Sequence, residues 1–322
     1  MLTFHRVLND EEYKTTNSLP GMIMREPTFL DLARYLSENF QLVDLTNPEG
    51  APLPGKARIA CTFDDGWRDN YTSAFAILSQ YGMPATIFIC PGLLNQVAPF
   101  WPERHARLLR AANPDIKSDQ VECEVERLKY ASLEERESRV HELNAACSHV
   151  ELAACDRTMS WGEISEMERS GIHFGSHSYS HPILTKVPNS VAREELERSK
   201  ASMEKSLGQS CDMFAYPNGD WSPAVRDTVR DAGFKLAVST QQGVWTNLCD
   251  TLTIPRCNVC ESSVVGMNGR FSSTMFEYTI LWRAWRGMRA TTRGMSTSDA
   301  SAADLRGVAT TPKTVRTASP HS

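Results

Sequence analysis

Three stretches of this chain repeat one order: an amphipathic helix, a glycine, then a short apolar run. They are AFAILSQYGMPATIFI (74–89), ISEMERSGIHFGSH (164–177) and VRDTVRDAGFKLAVST (225–240). Gly82, Gly171 and Gly233 fall where a helix is expected to end in a left-handed residue. The runs behind them lack the alternation of a half-exposed strand, so both of their faces must be covered. Further strands are predicted at 1–5, 41–45, 59–63, 213–216 and 252–255, and helices at 26–39, 71–81, 158–170, 190–207 and 223–232. Asn189-Ser190 reads as the cap of the 190–207 helix. Strands alternating with helices build a parallel sheet covered by helices. About eight strands in ~260 residues suit a barrel, closed or nearly so.

Residues 101–157 break the alternation. This highly charged stretch reads as two or three helices inserted after the strand PATIFIC, with a solvated face preferred over a substrate lid. The barrel is therefore assigned to 1–262, with the insertion at about 101–157. A C-terminal amphipathic helix follows at 263–290, and a tail too poor in large apolar residues to order itself at 291–322.

With a net charge of −5, the chain carries no footprint of a nucleic-acid binder. Its nine cysteines stand as singles apart from one CxxC, Cys257 to Cys260, which lacks the second pair a zinc knuckle needs. The opening MLTFHRVLNDEE has neither the basic start nor the apolar core of a secretory leader, which sets a cytoplasmic expectation. No run reaches the ~18 apolar residues of a membrane span. MFEYTILWRAWRGM (275–288) reads as a packing helix, with peripheral membrane contact as the alternative.

Chemistry enters at CTFDDGW (61–67), where two aspartates follow a buried strand. Adjacent carboxylates repel and are costly to desolvate, so the pair needs a reason. A second stretch, GSHSYSH (175–181), places His177 and His181 four apart, close enough to converge on one ion if the segment turns helically. Two imidazoles and one carboxylate make three ligands for a divalent ion and leave a position for water. The remaining carboxylate is then free to act as a general base.

TFDDG (62–66), HSYSH (177–181) and FAYPNGDW (214–221) resemble, in order, the first three motifs of the polysaccharide deacetylases, carbohydrate esterase family four. The resemblance spans roughly residues 1–262. It implies a distorted (β/α)7-8 barrel of α/β class and a metal-dependent hydrolysis of acetyl groups on sugars. By the same resemblance Asp64 is the general base, Asp65, His177 and His181 hold the metal, and the Tyr216 backbone N–H serves the oxyanion. Zinc is the expected ion from this ligand set, with cobalt or nickel as substitutes. The expected substrate is an acetylated glycan, N-acetylhexosamine-containing, in exopolysaccharide or envelope metabolism.

The chain departs from the family pattern in two places. Phe214 or Ala215 stands where the third motif has an arginine, and no late histidine follows in DTLTIPRCNV (250–259). Arg256 is assigned the missing guanidinium and His5 the missing general acid. The order resembles circularly permuted members, in which the last strand and its histidine come first. Trp67, Pro217, Trp221 and Trp245 are the candidate sugar contacts. Asp69 and Asn70 are read as helix-starting residues, and His173 as a packing residue pointing away from the ligands. Three other readings stay open: an O-acetyl esterase, a non-sugar amidase, and a barrel that binds glycans without hydrolysing them.

Overall fold

The computed structural model describes residues 1–48, 51–97, 99–146 and 153–282. Seven short strands form its main sheet: β1 Leu2–Phe4, β2 Cys61–Phe63, β3 Ala85–Ile89, β4 His173–Ser176, β5 Met213–Ala215, β6 Leu236–Val238 and β7 Cys257–Asn258. Across the sheet they run β6-β5-β4-β3-β2-β1-β7, every pairing parallel. The N-terminal strand thus lies between the strand that precedes the aspartates and the last strand of the chain. The segment entering β7 ties the two edges together: Ile254 bridges Val238 of β6, while the Cys257 N–H donates to the Met1 carbonyl at 2.9 Å. Pro255 lies in this seam and has no N–H to give.

Alternation along the strands sorts the side chains into two sets. Leu2, Phe4, Cys61, Phe63, Ile87 and Phe214 join the large core under the surrounding helices. Phe88, Ala215, Val238 and Ile254 form a smaller cluster within the barrel. Thr3 and Thr62, in register on neighbouring strands, are buried and share a hydroxyl hydrogen bond of 2.7 Å. The outer layer includes α1 Glu26–Asn39, α2 Phe75–Gln80, α6 Trp161–Arg169, α7 Asn189–Leu207 and α8 Pro223–Asp231. The insertion supplies α3 Trp101–Ala112, α4 Ser118–Lys129 and α5 Leu133–Ala146.

Gly82, Gly171 and Gly233 all have positive φ (56°, 90° and 85°), as the repeated pattern requires. Three expectations need correction. Residues 41–45 shrink to a two-residue strand, Gln41–Leu42, paired with Arg58–Ile59 outside the main sheet. Helix α7 begins at Asn189 itself, so the cap position falls to Pro188, whose side chain can accept no hydrogen bond, and the Asn189 side chain accepts the Thr228 hydroxyl. His173 does not point away from the ligands, since four residues of extended backbone return to the same face. It stands at the amino end of β4 and pairs with Asp44 at 2.7 Å.

Of the C-terminal helix, Phe276 and Ile280 are buried against the barrel while Tyr278 and Trp282 are exposed. Among the described residues no helix is long and apolar enough to cross a membrane. The expected tail at 291–322, and positions 283–290 of the last helix, lie outside the described residues.

Candidate metal centre and active site

The chemistry-bearing residues gather at the carboxyl ends of β1, β2 and β4. Phe4 is in register with Phe63, so His5 and Asp64 leave adjacent strands at one level, and the Asp64 N–H donates to the Phe4 carbonyl at 3.0 Å. After Asp64 the backbone turns through two left-handed residues, Asp65 (φ 75°) and Gly66 (φ 71°). A Cβ on Gly66 would stand 2.8 Å from the Ile89 Cγ2, so the turn needs glycine for space as well as for its torsion. This turn sends the two carboxylates to different partners.

Asp65 faces the histidines. Its Oδ1 lies 3.5 Å from the His177 Nε2 and 3.4 Å from the His181 Nε2. Its Oδ2 accepts the Trp67 indole N–H at 3.0 Å. Among the described residues this trio is the one His/Cys/Asp/Glu cluster spaced for a single ion, its ligand atoms all within 4.8 Å of one another. Tetrahedral zinc with bonds near 2.1 Å separates neighbouring ligand atoms by about 3.4 Å, which matches these spacings. The donors also have the right chemistry. The His177 Nδ1 lies 2.8 Å from the Ala215 carbonyl, which fixes the proton there and turns an Nε2 lone pair toward Asp65. Burial pushes both imidazoles down to about 4, so they are neutral at physiological pH. The three residues fit a divalent ion.

Asp64 goes to Arg256, whose Nη1 and Nη2 bond its two oxygens at 2.8 and 2.6 Å. Both side chains are buried. The guanidinium also donates to the Ser239 carbonyl and the Thr62 hydroxyl. Burial alone would raise the Asp64 pKa, but the charge of Arg256 and its hydrogen bonds hold it well below the usual carboxylate range. Asp64 is therefore an oriented anion next to the trio. His5 is near enough to interact electrostatically with Asp64 and His181, and its buried Nδ1 has no hydrogen-bond partner among the described residues.

The loop between the histidines does not turn helically, yet both imidazoles reach Asp65. Ser178 and His181 both have positive φ (63° and 62°), and a buried residue of α7 holds the loop from below. The Glu195 Oε2 accepts the Tyr179 and Ser180 N–H groups at 2.9 and 2.8 Å, and its Oε1 accepts the Ser180 hydroxyl at 2.6 Å. The Ser178 hydroxyl accepts the His181 N–H at 3.0 Å. Nothing in the sequence marks Glu195, which is one acid among several on a charged helix.

Several assigned contacts are placed elsewhere. Trp67 is completely buried, tilted against Phe100 (ring centroids 4.9 Å apart) and under the Arg6 guanidinium (4.3 Å), so it supports Asp65 and offers no sugar wall. Trp245 packs beside Met1, Met213 and Leu236 at the amino ends of the strands, away from the centre. It lines a cavity of about 390 Å³ there with Met1 and Ala60. The Tyr216 N–H donates to the Val238 carbonyl at 3.1 Å, so it is committed to the sheet rather than to an oxyanion. Pro217 is buried in the turn after β5, and Trp221 is half-buried against the outer core. Asp69 does not cap the following helix; it pairs with the buried Arg6 at 3.0 Å and accepts the Val7 N–H at 2.8 Å.

The insertion adds residues that the motifs do not announce. Phe100, just before α3, meets the His181 ring edge-on at 5.1 Å. Glu103 on α3 is buried, with one carboxylate oxygen lacking any partner among the described residues. Burial, then the nearby Asp65 charge, push its pKa up to about 8.

A sequence profile of the polysaccharide deacetylase family matches residues 53–237, more than half of the chain. Among curated proteins, YxkH of Bacillus subtilis, provisionally named a polysaccharide deacetylase, is 21% identical over 190 residues. That match covers 59% of this chain and 47% of YxkH, so the chain spans about half the length of that relative. Among solved structures, the deacetylase PplD of Streptococcus pyogenes, in complex with acetate, aligns with a TM-score of 0.57 at 19% identity, over 87% of this chain and 96% of that one. IcaB from Ammonifex degensii aligns with a TM-score of 0.55 at 21% identity, over 81% and 91% of the two chains. The likeness to these structures is one of fold.

Proposed function

This chain belongs to the polysaccharide deacetylase family, and from its centre we propose that it is a hydrolase that removes N-acetyl groups from N-acetylhexosamine units of a glycan, using one divalent ion. The observation that carries the reading is the separation of the two adjacent carboxylates. Asp65 meets two neutral imidazoles, while Asp64 is held apart by Arg256. A barrel that only bound sugar would have no use for the second carboxylate.

Asp65, His177 and His181 would hold the ion, zinc by the preference of this donor set. Such an ion supplies Lewis acidity toward an acetyl carbonyl and lowers the pKa of water. Asp64 is placed to receive the proton of the attacking water as its oxygen adds to the carbonyl carbon. Arg256 keeps that carboxylate ionised and directed, at some cost in basicity. When the tetrahedral centre collapses, the C–N bond breaks and the leaving amine needs a proton. His5, across from Asp64, is the assigned donor. The products are acetate and a free amino sugar.

The test is turnover of a tetrameric N-acetylglucosamine oligosaccharide by purified protein, read as acetate released, alongside metal content and an Asp64→Asn control. Stoichiometric metal, acetate release by the native chain and its loss in the control are expected. Bound metal with no release from N-acetyl, O-acetyl or formyl sugars would replace this reading with that of a glycan-binding barrel.

A further inference from the structure

A hydrolase that works along a glycan needs a flat surface beside the reacting group to hold the neighbouring sugar, since pyranose rings pack their apolar faces on aromatic side chains. The tryptophans suggested by the sequence do not provide one. Trp67 is buried beneath the centre, Trp245 lies at the opposite mouth, and Trp221 is half-buried against the outer core. The open side of the centre is that of His181, whose side chain is 17% exposed against 3% for His177 and 5% for Asp65. The surface beside His181 is therefore where a substrate would rest.

The helical insertion reaches that side. Phe100, at its start, touches the His181 ring. Lys129, the last residue of α4, pairs with Glu126 at 2.6 Å. Tyr130 follows it directly. Its N–H closes the helix on the Arg127 carbonyl at 3.2 Å, while the side chain is 74% exposed, more than any other aromatic among the described residues. Opposite it stands Lys186, five positions beyond His181 in the same loop, with its ammonium 5.8 Å from the centre of the Tyr130 ring. An exposed ring is thus held between the insertion and the histidine loop, with a cation over it and the rest of its surface in solvent.

We propose that Tyr130 and Lys186 form a subsite for the sugar adjoining the one that is deacetylated, in which the pyranose ring packs on Tyr130 and Lys186 donates hydrogen bonds to its ring oxygens or hydroxyls. This rests on the reading of the centre as a glycan deacetylase. It makes the insertion the element that distinguishes a chain of sugars from a single one. Tyr130 touches no reacting atom, so its removal should weaken binding of long substrates and leave the chemical step alone.

The experiment compares native protein with Tyr130→Ala, Tyr130→Phe and Lys186→Ala, using N-acetylglucosamine and its tetramer. Acetate release gives kcat and KM, and calorimetry on the zinc-loaded protein gives tetramer affinity directly. Tyr130→Ala should raise both the KM and the Kd for the tetramer about five- to tenfold. It should leave kcat and the monosaccharide constants unchanged, and Tyr130→Phe should behave as native. Lys186→Ala should show a smaller loss in the same direction. Equal tetramer affinity in the native and Tyr130→Ala proteins would overturn the subsite, as would equal losses for monomer and tetramer. Native protein that binds the tetramer in a Tyr130-dependent way but releases no acetate would keep the subsite and remove the deacetylase reading.

Discussion

Two buried acid–base contacts decide how the centre behaves, and each makes a prediction at the level of one side chain. Arg256 bonds both oxygens of Asp64. Arg256→Met would leave that carboxylate buried without its counter-charge, and its pKa would rise. A base works only when deprotonated, so the acidic limb of the kcat/KM profile should move to higher pH, with kcat at neutral pH falling about a hundredfold. Arg256→Lys, which keeps the charge but not the paired geometry, should recover part of the loss. Metal content should be unchanged in both, and a fall in metal content alone would contradict the assignment. Glu195 acts on the other half of the site. Glu195→Ala releases the Tyr179 and Ser180 N–H groups and the Ser180 hydroxyl, so the histidine loop should relax. Zinc affinity, read by competition with a chromogenic chelator, should drop about tenfold or more. Arg256 was legible in the sequence because a conspicuous guanidinium was missing and one stood at the end of a late strand. Glu195 was not, because its role depends on which turn of α7 passes beneath the loop. Trp67 was misread for a related reason: adjacency to Asp65 in sequence says nothing about which side of the carboxylate the indole takes.

At the scale of elements, the helix–glycine–strand repeats were legible because left-handed termination and unbroken apolar runs are local properties. The strands came out near their expected positions for that reason. The seam at Ile254–Cys257 and the detached Gln41–Leu42 strand were not legible, since both depend on where the barrel's edges meet. The insertion was recognised by its charge, but its contact with the centre was hidden in single apolar or buried residues, Phe100 and Glu103. Glu103 gives the insertion a pH signature. Its folded pKa, pushed up to about 8, lies above the ~4.3 of an unfolded glutamate, so the native state retains a proton that the unfolded chain releases. This group therefore lowers stability progressively as pH rises from about 4 through 8, and not below that window. Glu103→Gln mimics the protonated form. In urea titrations of metal-free protein the variant should match the native chain near pH 4 and exceed it by on the order of 5 kcal/mol near pH 9. Parallel stability curves would show that Glu103 is ionised in the native fold.

For the whole molecule, the centre is a tie between distant parts of the chain. Asp65 follows β2 and the two histidines follow β4, so these ligands are assembled only when the barrel is closed. An ion bound by them favours the folded state by mass action, by about 2.7 kcal/mol at a hundred times its Kd. For a chain of this size that corresponds to a rise in melting temperature of roughly 4 °C. The same experiment separates the two aspartates without measuring turnover. Asp65→Asn and His181→Ala should abolish the zinc-induced rise. Asp64→Asn should lower the melting temperature in the absence of metal, because Arg256 loses its buried partner, yet keep most of the rise on adding zinc. The comparison is between shifts within each variant, so the differing baselines do not enter. Loss of the rise in Asp64→Asn would mean that both carboxylates serve the ion. The sequence could show that two adjacent acids had two tasks, but their division depends on the left-handed turn at Asp65-Gly66, which points one carboxylate at the histidines and leaves the other facing Arg256.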